Sequence, residues 1–179
     1  AVLKASVDGG LRNPPVRFMM LAAPFTEGVG FYVFYALQPY LLQLFGDPKA
    51  YAIAGLAAAI VAGADVVGGW LAPQVRRLVR RRTTVLIAST ITSSVVLVVL
   101  LATSVFWLAL VLLALWAVVA SAGTPVRQAY LNDMIGSKQR ATVLSFASLM
   151  GSSGGVVVQP VLGRAADVYG YPKIGRAHV

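Results

Sequence analysis

Of the 179 residues, 58% are hydrophobic and only 12% are charged, against about 25% charged in a soluble domain, which excludes an ordinary soluble globule and points to a membrane protein. The formal net charge of +9 does not mark a nucleic-acid binder, because the basic residues sit at the ends of apolar runs and do not cover one soluble face. There are no cysteines, which removes disulfides and thiol chemistry.

Residues 1–17 are polar, contain Gly and Pro, and carry Lys4, Arg12 and Arg17. Lacking an apolar h-region, they read as a cytoplasmic linker and not as a signal peptide. An aromatic-rich apolar segment follows over about 18–45, interrupted by Pro24, Glu27 and Pro39. At about 1.5 Å per residue it crosses a ~30 Å hydrocarbon core with tilt or a kink. Gly46-Asp-Pro-Lys49 is an expected external turn. The second span, about 50–72, is rich in Ala and Gly and contains Asp65.

Five arginines then fall within seven residues: Arg76, Arg77, Arg80, Arg81 and Arg82. Arginine at a bilayer centre costs about 2.5–3.5 kcal/mol on insertion scales, so the cluster is expected outside the hydrocarbon, on the cytoplasmic side. From Thr83 to Val126, 44 consecutive residues are uncharged. One crossing uses about 20 residues, so this run reads as two spans, about 84–102 and 105–130, joined by a tight turn near Thr103-Ser104. Trp107 and Trp116 belong to the second of the pair. Leu131 to Arg140 is a polar loop, about 141–163 is a fifth span containing Gly151, Gly154, Gly155 and Pro160, and Arg164 to Tyr171 follows outside.

Lysines and arginines decide the orientation. Eleven lie at the proposed cytoplasmic ends (Lys4, Arg12, Arg17, the five of the cluster, Arg127, Lys138 and Arg140), and four lie on the other side (Lys49, Arg164, Lys173 and Arg176). The expectation is an all-α polytopic bundle of five spans in the cell membrane, N-terminus in the cytoplasm. Both ends are expected to be truncated. The chain begins without methionine, and Ile174 to Val179 is what a common short-read sequencing adapter yields on in-frame translation. The only histidine, His178, lies in that tail and carries no functional reading.

Two stretches resemble the major facilitator superfamily of secondary transporters. GGWLAPQVRRLVRRR, residues 68–82, is similar to the loop G-x-L-a-D-R-x-G-R-R between the second and third helices of each six-helix half. Pro73 stands where that loop has its Asp and Gln74 where it has its first Arg, so the basic end is kept and the charged core is not. RQAYLNDMIGSKQRATVLSFASL, residues 127–149, resembles the loop between helices ten and eleven, with Arg140-Ala-Thr142 opening helix eleven. The resemblance covers about residues 15–172. It implies a partial facilitator fold holding helices seven to eleven of the C-terminal half; helices one to five would give the same topology. A weak internal echo, Gly69-Trp-Leu-Ala-Pro73 against Gly163-Arg-Ala-Ala-Asp167, fits inverted three-helix repeats. By resemblance the activity is permease- or efflux-type transport of a small solute by alternating access. The implied partners are the lipid bilayer, the solute with protons as a candidate coupling ion, and the N-terminal half of the same transporter, with no nucleic acid, cofactor or metal. The alternative is a non-transporting polytopic protein, a scaffold or a membrane-embedded enzyme.

Two groups of residues are candidates for function. Glu27 lies about ten residues into the first span, where a carboxylate is expensive unless it is paired, protonated or facing a wet cavity. At 100° per residue Phe31, Phe34 and Gln38 fall within about 40° of it, with Tyr35 further round. This stripe is expected to line a substrate cavity, with Glu27 binding a proton or a cationic group; the plainer reading is a paired buried acid among packing aromatics. Asp65 shares its helical side with small residues built for close helix approach. With Arg127 as its expected partner and with Arg76 and Arg77, it is expected to form a cytoplasmic latch; the plainer reading is a static ion pair. Gly151-Ser-Ser-Gly154 matches an intramembrane serine-protease motif, but serine catalysis needs a base, and the sequence offers none outside the tail. The base in question is histidine, whose only copy is His178 in the tail, and these small residues read instead as a helix-packing seam.

Overall fold

The structure is a computed structural model that describes residues 11–47, 49–137 and 139–169, with side chains to 164. Lys4, Lys138, Lys173, Arg176 and the tail 174–179, all used in the sequence reading, lie outside the described residues.

Among the described residues there are five helices and no strand: α1 Pro14–Phe45, α2 Tyr51–Leu78, α3 Arg82–Ala102, α4 Phe106–Met134 and α5 Arg140–Tyr169. All five are long and apolar enough to cross a membrane. The most apolar window of each is only 17–28% buried. That leaves rows such as Ile87, Ile91, Val95 and Val98 on α3 and Val156, Val157 and Val161 on α5 exposed, as a lipid-facing surface requires. The chain is a multi-pass membrane protein.

Several helices outrun the apolar stretches that announce them. α1 begins at Pro14, where a proline costs no helical hydrogen bond because the first N–H groups have no partner. α2 runs on to Leu78 and α4 to Met134, since Arg, Leu, Gln and Met are good helix formers whether or not lipid surrounds them. Their ends are set by local chemistry. Gly46, at φ +85°, ends α1 with its N–H directed to the carbonyls of Leu42 (3.0 Å) and Gln43 (3.2 Å), a left-handed C-terminal cap that favours glycine. The Lys49 N–H then donates to the Asp47 carboxylate at 2.8 Å, a side-chain mimic of a turn. Several hydroxyls within the spans are satisfied on their own helices, among them Thr26 on Ala22, Thr90 on Leu86 and Ser153 on Met150. Such back-bonding lets Ser and Thr enter lipid at little cost.

The described residues divide into two compact units, one built from the stretches before position 37 and after position 128, the other from 37–128. Helices α1 and α4 contribute to both. The core of the first unit joins Val16 and Met20 of α1, Leu131 of α4 with Ile135 just past its end, and Val143 and Ala147 of α5. The Asn13 amide donates to the Met134 carbonyl at 3.0 Å, covering the end of α4. In the second unit α2 buries Ala57, Ala64, Gly68 and Ala72. Their spacing of seven, four and four residues keeps one small-residue stripe on one face. Tyr40, 1% exposed, closes the end of α3, and the turn to α4 falls at Thr103–Val105, where Val105 N–H meets the Thr103 hydroxyl at 3.3 Å.

Candidate functional site

The first candidate site lies in the seam between α1 and α5. Residues 24, 27, 28 and 31 share one face of α1, and residues 151, 154, 155 and 158 share one face of α5, both at helical spacing. The backbones come together because glycine carries no side chain. A Cβ on Gly28 would stand 2.8 Å from both the Gly154 carbonyl oxygen and Val158 Cγ2. A Cβ on Gly154 would overlap the carbonyl of Pro24. At Gly151 the space a methyl group would take is filled by the carboxylate of Glu27. Glu27 is half-buried, and its acid group is thus held against the α5 backbone. One turn on, the Phe31 ring edge stands 3.4 Å from where a Cβ on Gly155 would be, with the Gln159 amide nitrogen at 3.7 Å.

The rest of the expected stripe is arranged differently. Phe34 and Tyr35 form an edge-to-face pair, 5.5 Å between ring centroids, and Tyr35 is 64% exposed. Gln38 is half-buried and belongs to the second unit. The structure therefore brings Glu27 and Phe31 together with Gly151, Gly155 and Gln159. In the sequence the glycines of α5 read as a packing seam, but not as the wall behind the Glu27 carboxylate. The identical spacing of the two sets of residues was the available signal.

The second candidate region lies within the second unit, where α2 meets α4. A Cβ on Gly68 would stand 2.7 Å from Ser121 Cβ, 2.8 Å from the Val118 carbonyl oxygen and 2.9 Å from the Ala122 nitrogen. One turn before Gly68, the exposed Asp65 accepts a hydrogen bond from the Ser121 hydroxyl. One turn of α2 thus grips Ser121 through two contacts, a partner that sequence reading did not name because a serine in an apolar run carries no charge to look for. Four residues after Ser121, Pro125 interrupts the α4 hydrogen-bond ladder and leaves the Ser121 carbonyl without its helical donor. Arg127 is half-buried further along α4, and Arg77 is exposed on the last turn of α2. The Arg76 guanidinium reaches along the chain, donating to the carbonyls of Arg80 (2.9 Å) and Val79 (3.4 Å), which satisfies acceptors just past the end of α2. Two positions earlier in α2, the Gln74 side-chain oxygen is buried without a hydrogen-bond donor.

Among the described residues no group of three His, Cys, Asp or Glu side chains comes together as a metal site would require. A family model described as Major Facilitator Superfamily matches residues 4–158 of the chain. No curated protein and no solved structure matches it.

Proposed function

The chain belongs to the Major Facilitator Superfamily, a family of membrane transporters and not of enzymes, and we propose that it forms part of a secondary active permease or exporter that moves a small solute by alternating access. In this reading it supplies helices seven to eleven, and a homologous half completes the central cavity. The arginine cluster at the end of α2 faces the cytoplasm of a cell membrane, because moving five arginines across the bilayer is far costlier than leaving them where they are synthesised.

One observation supports a role for Glu27 above all: an acid group inside an apolar span is seated in a seam between two helices of the same unit. Intramembrane carboxylates are expensive and mark substrate or ion paths. A seat between two helices ties the state of the carboxyl to how those helices pack. Glu27 accordingly binds a proton or a cationic group, with Phe31, Phe34, Tyr35 and Gln38 on the substrate side of α1. Asp65, Arg76, Arg77 and Arg127 act as a cytoplasmic latch, with Ser121 holding the Asp65 carboxylate in place.

The test uses the complete transporter in proteoliposomes, loaded against a panel of radiolabelled solutes with and without an imposed pH gradient. The wild type moves at least one solute, and Glu27→Gln lowers that flux by about tenfold or more and flattens its dependence on the pH gradient. A Glu27→Gln protein with unchanged flux and pH dependence overturns the assignment.

A further inference from the structure

We propose that Gly151 is a positioning residue for Glu27: the side chain it lacks is the seat in which the Glu27 carboxylate is held. The proposal rests on the reading of Glu27 as the functional acid, and it adds a second residue to that site.

The glycines of the seam have different neighbours. Gly28 and Gly154 face mainly backbone: the Gly154 carbonyl for one, and the Pro24 carbonyl, carbonyl carbon and Cα for the other. Those contacts set how closely α1 and α5 approach, and any side chain at either position forces the helices apart. Gly151 faces a side chain first. The three atoms nearest the place of its absent Cβ are the two carboxylate oxygens and the carboxyl carbon of Glu27. At the spacing fixed by the Gly28–Gly154 contact, Gly151 therefore leaves a gap the size of a methyl group, and the carboxyl group occupies it.

The surroundings make that seat matter. Between Ala141 and Gly163 the α5 sequence has no charged residue, so this face offers the carboxyl only peptide groups and the small polar side chains beside them. A carboxyl pushed out of the seam loses that seat inside an apolar span, where an acid is costly. An ordinary packing glycine would tolerate or reject a methyl group whatever stood at position 27. A seat for the carboxylate makes the cost of that methyl group depend on position 27.

The experiment is a double-mutant cycle on the complete transporter, purified in detergent, with thermal unfolding as one readout and the labelling rate of Glu27 by N,N′-dicyclohexylcarbodiimide, followed by mass spectrometry, as the other. Gly151→Ala lowers the unfolding temperature in the wild-type background, and most of that loss disappears in the Glu27→Ala background. Gly154→Ala, which meets backbone that no side-chain substitution removes, costs the same in both. Gly151→Ala also raises the Glu27 labelling rate by about threefold or more, the low end of coupling between contacting residues, a change that a purely structural glycine would not produce. Equal losses in the two backgrounds, or an unchanged labelling rate, overturn the proposal. If Gly151→Ala alone does not fold, recovery of a folded Gly151→Ala/Glu27→Ala protein supports it, and failure of that double variant overturns it. Transport by Glu27→Gln is scored separately: unchanged flux removes the transport role of Glu27 but leaves the coupling between positions 27 and 151 to decide the seat.

Discussion

The Tyr40 hydroxyl stands 2.8 Å from each of the carbonyl oxygens of Leu100 and Thr103, so one residue of α1 closes the C-terminal end of α3. The last carbonyls of a helix have no partner within it, and here they are buried: Leu100 is fully buried and Thr103 nearly so. Water cannot replace the phenol. Tyr40→Phe keeps the ring and removes the donor, and the expected cost is about 1–2 kcal/mol, the usual cost of a buried acceptor left unsatisfied. Thermal unfolding in detergent measures it. A variant as stable as wild type would mean that the hydroxyl is not needed at this cap.

Gly68 and Gly69 are adjacent in sequence and opposite in environment. A methyl group on Gly68 meets Ser121, Val118 and Ala122 at 2.7–2.9 Å, whereas one on Gly69 meets nothing within 4 Å. Gly68→Ala must push α2 from α4 and is expected to cost about 1–3 kcal/mol, the range for overpacking a close contact. Gly69→Ala removes a glycine from a helix interior and is expected to be neutral or to stabilise by up to about 1 kcal/mol. The sign difference between neighbours, read as two unfolding temperatures, is the check.

The fold class was legible because membrane helices are announced by composition alone: long apolar runs, charges gathered at their ends, and a turn demanded wherever a run exceeds one crossing. The family was legible in the loops, where the arginine-rich stretch and Arg140-Ala-Thr142 carry its pattern. Helix ends were less legible. Apolarity stops at the edge of the hydrocarbon, while the backbone of α2 continues through Arg76 and Arg77 until Val79 turns extended. Pairings were the least legible. Periodicity places Glu27, Phe31 and Phe34 on one side of α1, but only the three-dimensional approach of α5 assigns Glu27 to Gly151 and leaves the rings of Phe34 and Tyr35 against each other. Nor does charge point to Ser121, whose hydroxyl reaches the Asp65 carboxylate.

The Asp65–Ser121 contact yields a directional test. Asp65→Asn keeps a side-chain oxygen that accepts from Ser121, so stability should stay within about 0.5 kcal/mol, the scatter of substitutions that break no contact. Ser121→Ala removes the donor and should cost more than Asp65→Asn, while both alter the proposed latch. Transport then separates two roles for Arg127. If Asp65 and Arg127 pair directly, the double variant Asp65→Arg/Arg127→Asp recovers part of the flux lost in each single variant. A double variant no more active than the singles counts against direct pairing and leaves Ser121 as the working partner of Asp65.

Orientation can be read chemically, because the chain has no native cysteine to interfere. Ser104, in the exposed turn between α3 and α4, and Gly136, exposed just past the end of α4, lie at opposite ends of the same span. With the arginine cluster in the cytoplasm, a cysteine at position 104 faces outward and one at position 136 faces inward. In intact cells a membrane-impermeant maleimide should therefore label Ser104→Cys promptly and Gly136→Cys only after permeabilisation. The reverse pattern would mean that five arginines within seven residues had crossed the bilayer against the positive-inside bias, and the proposed orientation would have to be inverted with every span in it.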